Sequence, residues 1–163
     1  MNLHQVSIRF ITAEDARPIR GMVLRPGQPA AASVYPGDED PVSFHLGAFL
    51  EHRLVAVASF LPEPGPVHGS DRGWRLRGMA TVDDVRGCGI GGLMLARGIR
   101  ETTDRRGTTL WCYGRAQARP FYERHGMRVI GDEFELPNTG PLFLFVMDLG
   151  SGSIDSPDLE ITG

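Results

Sequence analysis

The order of β-prone and helical segments predicts an α/β fold built on a mixed sheet. The first half of the chain is dominated by apolar, β-prone runs, the middle alternates strand, helix, strand, helix, and the end reads as a hairpin. With 163 residues, 41% of them hydrophobic, the chain has the length of one ordinary domain and enough apolar side chains for one core. No internal repeat interrupts it. Residues 1–149 are expected to form the domain, and 150–163 (GSGSIDSPDLEITG) a polar, acidic, loosely held tail.

Val6 to Ile11 reads as the first strand. Thr12 can cap a helix from Ala13, with Glu14 and Asp15 in the first turn, where the helix dipole favours anions. That helix ends before RPGQP at 25–29, and residues 25–41 form a long loop with room for one short helix. Phe44–Leu50 and Leu54–Leu61 are apolar strands flanking the polar turn Glu51-His52-Arg53, a hairpin. PEPGPVHGSDRG (62–73) is a loop by composition, and Trp74–Thr81 is a further strand.

The clearest helix runs from about Gly89 to Arg106, with Arg97, Arg100, Glu101, Asp104 and Arg105 forming a polar stripe. Leu95, Ala96, Ile99 and Thr102 lie on the opposite face. Gly107 ends it, and Thr108–Tyr113 is the next strand, so one crossover joins a parallel pair. A short helix starts near Arg119-Pro120 and stops at Gly126. Val129–Leu136 and Leu142–Leu149 form a hairpin around PNTGP.

Composition excludes several functions. The net charge of −3 argues against a nucleic-acid protein held by a basic field. All 17 basic residues are arginines, so no lysine is open to modification. Cys88 and Cys112 show no zinc spacing and read as free thiols, and His4, His45, His52 and His68 show no metal spacing and read as surface or loop residues. No metal is expected. The N-terminus lacks a signal-peptide apolar region, and no run approaches the roughly 20 apolar residues of a membrane span. A cytoplasmic protein without membrane or nucleic-acid partners is expected.

The stretch VRGCGIGG at 85–92 carries the chemistry. A glycine-rich turn between a strand and a helix N-terminus gathers unpaired N–H groups, and glycine lets a phosphate approach without a Cβ in the way. Gly87-x-Gly89-x-x-Gly92 matches the dinucleotide fingerprint, yet the following strand TTLWCY ends without the ribose-binding acid and four strands precede the turn. Without Gly-Lys-Ser/Thr it is no P-loop either. A bare tight turn stays open on this motif alone.

Arg86-Gly87-Cys88-Gly89-Ile90-Gly91 fits R/Q-x-x-G-x-G/A. It follows a strand reading LRGMATVDDV, precedes an amphipathic helix, and is succeeded by RPFYERHGMRVI. Together these closely resemble the GNAT superfamily of acyl-CoA-dependent N-acetyltransferases, strongly over residues 74–131 and more loosely over the first strand, first helix and hairpin. The resemblance implies a largely antiparallel sheet flanked by helices, with a V-shaped splay between its two middle strands. It implies that the pantetheine of acetyl-CoA lies along the backbone of Met79, Ala80 and Thr81. The diphosphate would rest on Arg86, Gly87, Cys88, Gly89, Ile90, Gly91 and Gly92, with a backbone N–H near Met79 or Ala80 stabilising the thioester oxygen. Tyr122 aligns with the tyrosine many members use to protonate the departing thiolate; the alternative is that it only packs the short helix on the sheet. Phe121 reads as core.

The implied reaction is direct acetyl transfer to a primary amine of a small molecule, amino acid or peptide. An acyl-cysteine route is disfavoured, since Cys112 sits in a buried strand and neither thiol has a His–Asp partner nearby in sequence. The family habit of dimerising makes a homodimer the expectation. The glutamate that some members carry before the turn falls here near Gly73, leaving Asp71, Glu63 or Asp38–Asp40 as candidate bases. That missing base also leaves open a rival of another class, an acyl-CoA sensor without turnover. Arg75 and Arg77 share one strand face, either solvated or with Arg77 pairing an acceptor carboxylate. Tyr113 replaces a common asparagine, Arg115 faces acceptor or cofactor, and the loop 25–41 lies where the family builds its acceptor pocket.

Overall fold

The computed structural model describes residues 2–67 and 69–150. The elements run β1 (Val6–Ile11), α1 (Ala13–Leu24), β2 (Phe44–Leu50), β3 (Arg53–Pro62), β4 (Gly73–Thr81), α2 (Ile90–Asp104), β5 (Thr109–Arg115), α3 (Arg119–Arg124), β6 (Arg128–Leu136) and β7 (Gly140–Asp148). Short 3-10 turns occupy Leu3–Gln5, Ala30–Ser33, Asp83–Val85 and Ala116–Ala118. The strands form one seven-stranded sheet in the order β1-β2-β3-β4-β5-β7-β6. The β1–β2, β2–β3, β5–β7 and β6–β7 pairs are antiparallel. β4 and β5 are parallel, Gly73 opposite Thr109 and Arg75 opposite Trp111, as the single crossover through α2 requires. The expected mixed, largely antiparallel sheet with helices is the fold that forms.

Contacts divide the chain into two compact units. The first holds residues up to Leu61 together with Leu76–Gly98, and the second holds Pro62–Arg75 together with the chain from Ile99 onward. In the first, Leu46, Ala48, Val55, Val57, Phe60, Met94 and Leu95 are fully buried, and Phe44 stacks on Phe60 at 4.9 Å. In the second, Leu110, Trp111, Phe145 and Val146 form the core. On α2, Leu95 and Thr102 of the expected apolar face are buried and Ile99 half-buried, but Ala96 is exposed and Gly98 is buried against the Phe60 ring. An alanine read as apolar carries too little surface to fix a helix face, and a glycine at the contact lets the aromatic ring close in. Phe121, expected in the core, is half-buried; the buried ring of that pair is Tyr122.

Thr12 caps α1 as expected, its hydroxyl accepting from the Asp15 N–H at 3.0 Å while the Asp15 carboxylate accepts from the Thr12 N–H at 3.1 Å. α1 also supplies what the sequence reading lacked. Arg20 is fully buried, donating to both oxygens of Asp38 at 2.7 and 2.9 Å, to the Ser33 carbonyl at 2.9 Å and to Ser59 Oγ at 2.6 Å. Its guanidinium lies over the Tyr35 ring at 4.1 Å. Thus the loop 25–41 is bolted to α1 and β3 through a charge pair with every carboxylate oxygen engaged.

His45 is a correction to the expected surface histidine: it is buried at the end of this network. Its Nε2 lies 3.0 Å from the Asp38 carbonyl, which can only accept, so Nε2 carries the proton. Nδ1, 2.6 Å from Ser59 Oγ, is then the acceptor of the Ser59 hydroxyl. The arrangement fits neutral imidazole, and burial holds the His45 pKa below its ordinary value. Burial pushes Asp38 up, but the Arg20 and Tyr35 N–H hydrogen bonds and the neighbouring positive charge of Arg20 act together against it, for a net lowering.

Both shifts make acid destabilising. Unfolded His45 takes up a proton below about pH 6.5 that the folded state resists, so stability falls as pH drops through that value. Asp38's contribution is present above its unfolded pKa near 3.9 and is lost as pH falls through the lower folded value. Thermal melts from pH 8 to pH 3 are expected to show a decline beginning below about pH 6.5, absent in His45→Gln, and a second below about pH 4.

Candidate active site

The 86–92 turn adopts the backbone its glycines were expected to allow. Gly87 and Gly89 take φ of 82° and 93°, a left-handed conformation that a side chain disfavours. α2 begins at Ile90, and its first i→i−4 bond runs from the Leu93 N–H to the Gly89 carbonyl at 3.3 Å. The N–H groups of Ile90, Gly91 and Gly92 therefore precede the helical ladder, the usual orphans of a helix start. Arg86 is exposed beside them, ion-paired with Asp83 at 2.7 Å and donating to the Thr81 carbonyl at 3.3 Å. Cys88 is exposed and Cys112 buried, both as free thiols.

Upstream, β4 is irregular where the cofactor backbone was expected. Gly78 takes a φ of 63°, and a Cβ there would meet Arg20 Nε at 2.9 Å and Tyr35 Cε2 at 3.0 Å. A left-handed residue inside a strand bends it locally, and β4 runs on from Gly78 through Thr81. Ala80 is buried, Met79 and Thr81 half-buried. These residues and the turn all belong to the first unit.

Tyr122 belongs to the second. It stands on α3, begun by Pro120 in its first turn, with its ring 4.5 Å from Phe145. Its hydroxyl hydrogen-bonds the Cys112 thiol. Burial is the main force raising the Tyr122 pKa well above the ordinary tyrosine value, and it pushes the Cys112 thiol up to about 12. Both groups are neutral across the physiological range, so Cys112 offers no thiolate nucleophile and Tyr122 keeps a proton to give. The packing reading of this side chain is seen directly, in the ring buried against Phe145.

The candidate bases separate. Asp38 is locked to Arg20, and Arg17 reaches it at 3.5 Å and Glu39 at 2.7 Å. Asp40 accepts from the Val42 N–H at 2.9 Å. Glu63 pairs with Arg75 at 3.3 Å, and Asp71 is exposed. Neither arginine of β4 sits on a solvated face: Arg77 lies over the Tyr35 ring at 4.4 Å, and Arg75 over Trp111 at 4.8 Å and Tyr113 at 5.2 Å. Strand alternation located the arginines, but only the fold shows which aromatic rings receive them. Arg20 and Ser59 went unnoticed because one arginine of a helix and one serine of an apolar strand carry no spacing signal. Among the described residues no group of three or more His, Cys, Asp or Glu side chains could hold a metal, and no helix is long and apolar enough to cross a membrane.

The family model for the GNAT acetyltransferase family matches residues 12–127. An uncharacterised N-acetyltransferase of Bacillus subtilis, YitI, is 30% identical over 135 residues, covering 83% of this chain and 91% of that protein. Escherichia coli ElaA superposes with a TM-score of 0.72 at 12% identity, over 87% of this chain and 99% of that one. An aminoglycoside 6'-N-acetyltransferase, solved with coenzyme A, superposes with a TM-score of 0.70 at 16% identity, over 93% of this chain and 99% of that one. The two structures share the fold; the family match and the B. subtilis relative carry the assignment. The chain belongs to the GNAT acetyltransferase family and is an acyltransferase.

Proposed function

We propose that the protein transfers acetyl from acetyl-CoA to a primary amine of a small molecule, amino acid or peptide by direct attack, within a domain spanning residues 1–149. The observation that carries this reading is the 86–92 turn. Its left-handed glycines and the unpaired N–H groups of Ile90, Gly91 and Gly92 suit a diphosphate, with Arg86 adding charge at the rim. The pantetheine takes the backbone of Met79, Ala80 and Thr81, which follows the left-handed Gly78. A backbone N–H near Met79 or Ala80 faces the thioester oxygen and stabilises the charge that builds on it. Tyr122, which burial keeps protonated, gives its proton to the departing thiolate.

Calorimetric titration with acetyl-CoA and CoA tests the turn. Wild-type protein is expected to bind both at one site per chain. Gly89→Ala, which places a side chain at φ 93°, is expected to weaken binding about tenfold while melting within a few degrees of wild type, a strain of about 1–2 kcal/mol. Equal affinity in the variant would remove the turn from the account.

A further inference from the structure

Arg75 is held more loosely than Arg20 and Arg17. Arg20 spends its guanidinium on Asp38, Ser33 and Ser59 at 2.6–2.9 Å, and Arg17 reaches Glu39 at 2.7 Å. Arg75 has a 3.3 Å contact from Nη1 to Glu63, a loop residue whose side chain is 42% exposed. Its Nε is buried with no hydrogen-bond partner among the described residues, as are those of Arg17 and Arg20, but those two have short contacts at their other nitrogens and Arg75 has only the one at 3.3 Å. A buried donor left unmade is costly, and a cation with so little compensation is retained when something else completes it.

The surroundings fix the cation in place. Trp111 and Tyr113 present their rings to it at 4.8 and 5.2 Å and meet each other edge-on at 5.3 Å. Tyr113 is braced in turn by Phe134 at 5.2 Å, and the Trp111 Nε1–H donates to the Glu63 carbonyl at 2.9 Å. The guanidinium plane is thereby set before any ligand arrives, the pre-organisation that favours a planar carboxylate over a point charge. Only 17% of the Arg75 side chain is exposed, so the seat is sheltered but reachable.

We infer that Arg75, walled by Trp111 and Tyr113, is the seat for a carboxylate of the acceptor, and that the acceptor amine is carried by an amino acid or similar amino-carboxylate. The incoming carboxylate takes the Nε edge of the guanidinium, and Glu63 is the weakly held stand-in that yields to it. This moves the carboxylate partner from Arg77, whose guanidinium lies on Tyr35, to Arg75. The inference rests on the acetyl-transfer reading above and narrows its substrate class.

The test compares free amino acids of apolar, aromatic, polar and acidic side chain with their carboxyl amides and decarboxylated amines. Binding to the CoA-loaded protein is followed by calorimetry, and acetyl transfer by thiol release. Amino acids are expected to bind and react in preference to both neutral analogues. Arg75→Gln is expected to raise the KM for the amino acid at least about tenfold while leaving the weak reaction with the decarboxylated amine within about twofold. Arg75→Lys restores part of the loss, and Glu63→Gln, at an exposed side chain that leaves folding intact, lowers the KM. A merely structural arginine would shift both acceptor classes together. Equal binding and use of neutral and carboxylate acceptors, an unchanged preference in Arg75→Gln, or no amino-acid binding to the CoA complex would each overturn the seat. Failure to bind acetyl-CoA at all would instead remove the acetyl-transfer reading beneath it.

Discussion

Tyr122→Phe is expected to lower kcat for acetyl transfer by about 10²–10⁴-fold, the usual contribution of a positioned general acid, while the affinity for acetyl-CoA stays within about twofold. The variant keeps the ring that packs on Phe145 and removes only the hydroxyl that meets Cys112. A modest loss of stability, about 1 kcal/mol for one hydrogen bond, accompanies it. The pH profile sharpens the assignment. Burial raises the tyrosine pKa, so no loss of acid form is expected for kcat below about pH 10 in the wild type. A protein that holds acyl-CoA without turning it over would show no consequence of the change beyond the small stability cost. Single-turnover measurement of thiolate release separates the two.

The largest stability effect is expected at Asp38. Replacing it with alanine strands the fully buried Arg20 without its charge partner and frees the Tyr35 N–H as well. Breaking a buried pair by removing one member costs about 3–5 kcal/mol, a large share of the 5–15 kcal/mol typical of a domain. Asp38→Ala should therefore melt far below wild type, whereas Arg20→Met with Asp38→Leu, which removes both charges, should recover much of the loss. Because this pair bolts the loop 25–41 to α1, the single variant is expected to weaken acceptor use before global unfolding is reached. Denaturant titration of the three proteins, with KM measured at sub-denaturing concentrations, reads both effects.

Most of the fold was legible because its signals are local. Thr12 with Asp15 marks one helix start, Pro120 another, and alternation marks the strands to within one or two residues. The glycine turn was legible for a different reason: Gly87 and Gly89 hold a backbone that other residues disfavour, so composition there reports conformation directly. What escaped depends on partners distant in sequence. Arg20 meets Ser59 across 39 positions, and Trp111 meets Glu63 across 48. His45 looked like a loop histidine because nothing around FHLGAF says that Ser59 and the Asp38 carbonyl will satisfy both its nitrogens. The same limit left the two arginines of β4 undistinguished. Arg75 and Arg77 are equivalent in alternation, and only the rings they meet distinguish them.

The measurement that bears most directly on the central claim is CoA thiol release from acetyl-CoA, followed over a panel of amines, amino acids and peptides, with the product identified by mass. Acetyl transfer predicts release that depends on the amine and matches N-acetylated product one to one. Acetyl-CoA that binds tightly yet yields no amine-dependent thiol across the whole panel would contradict it.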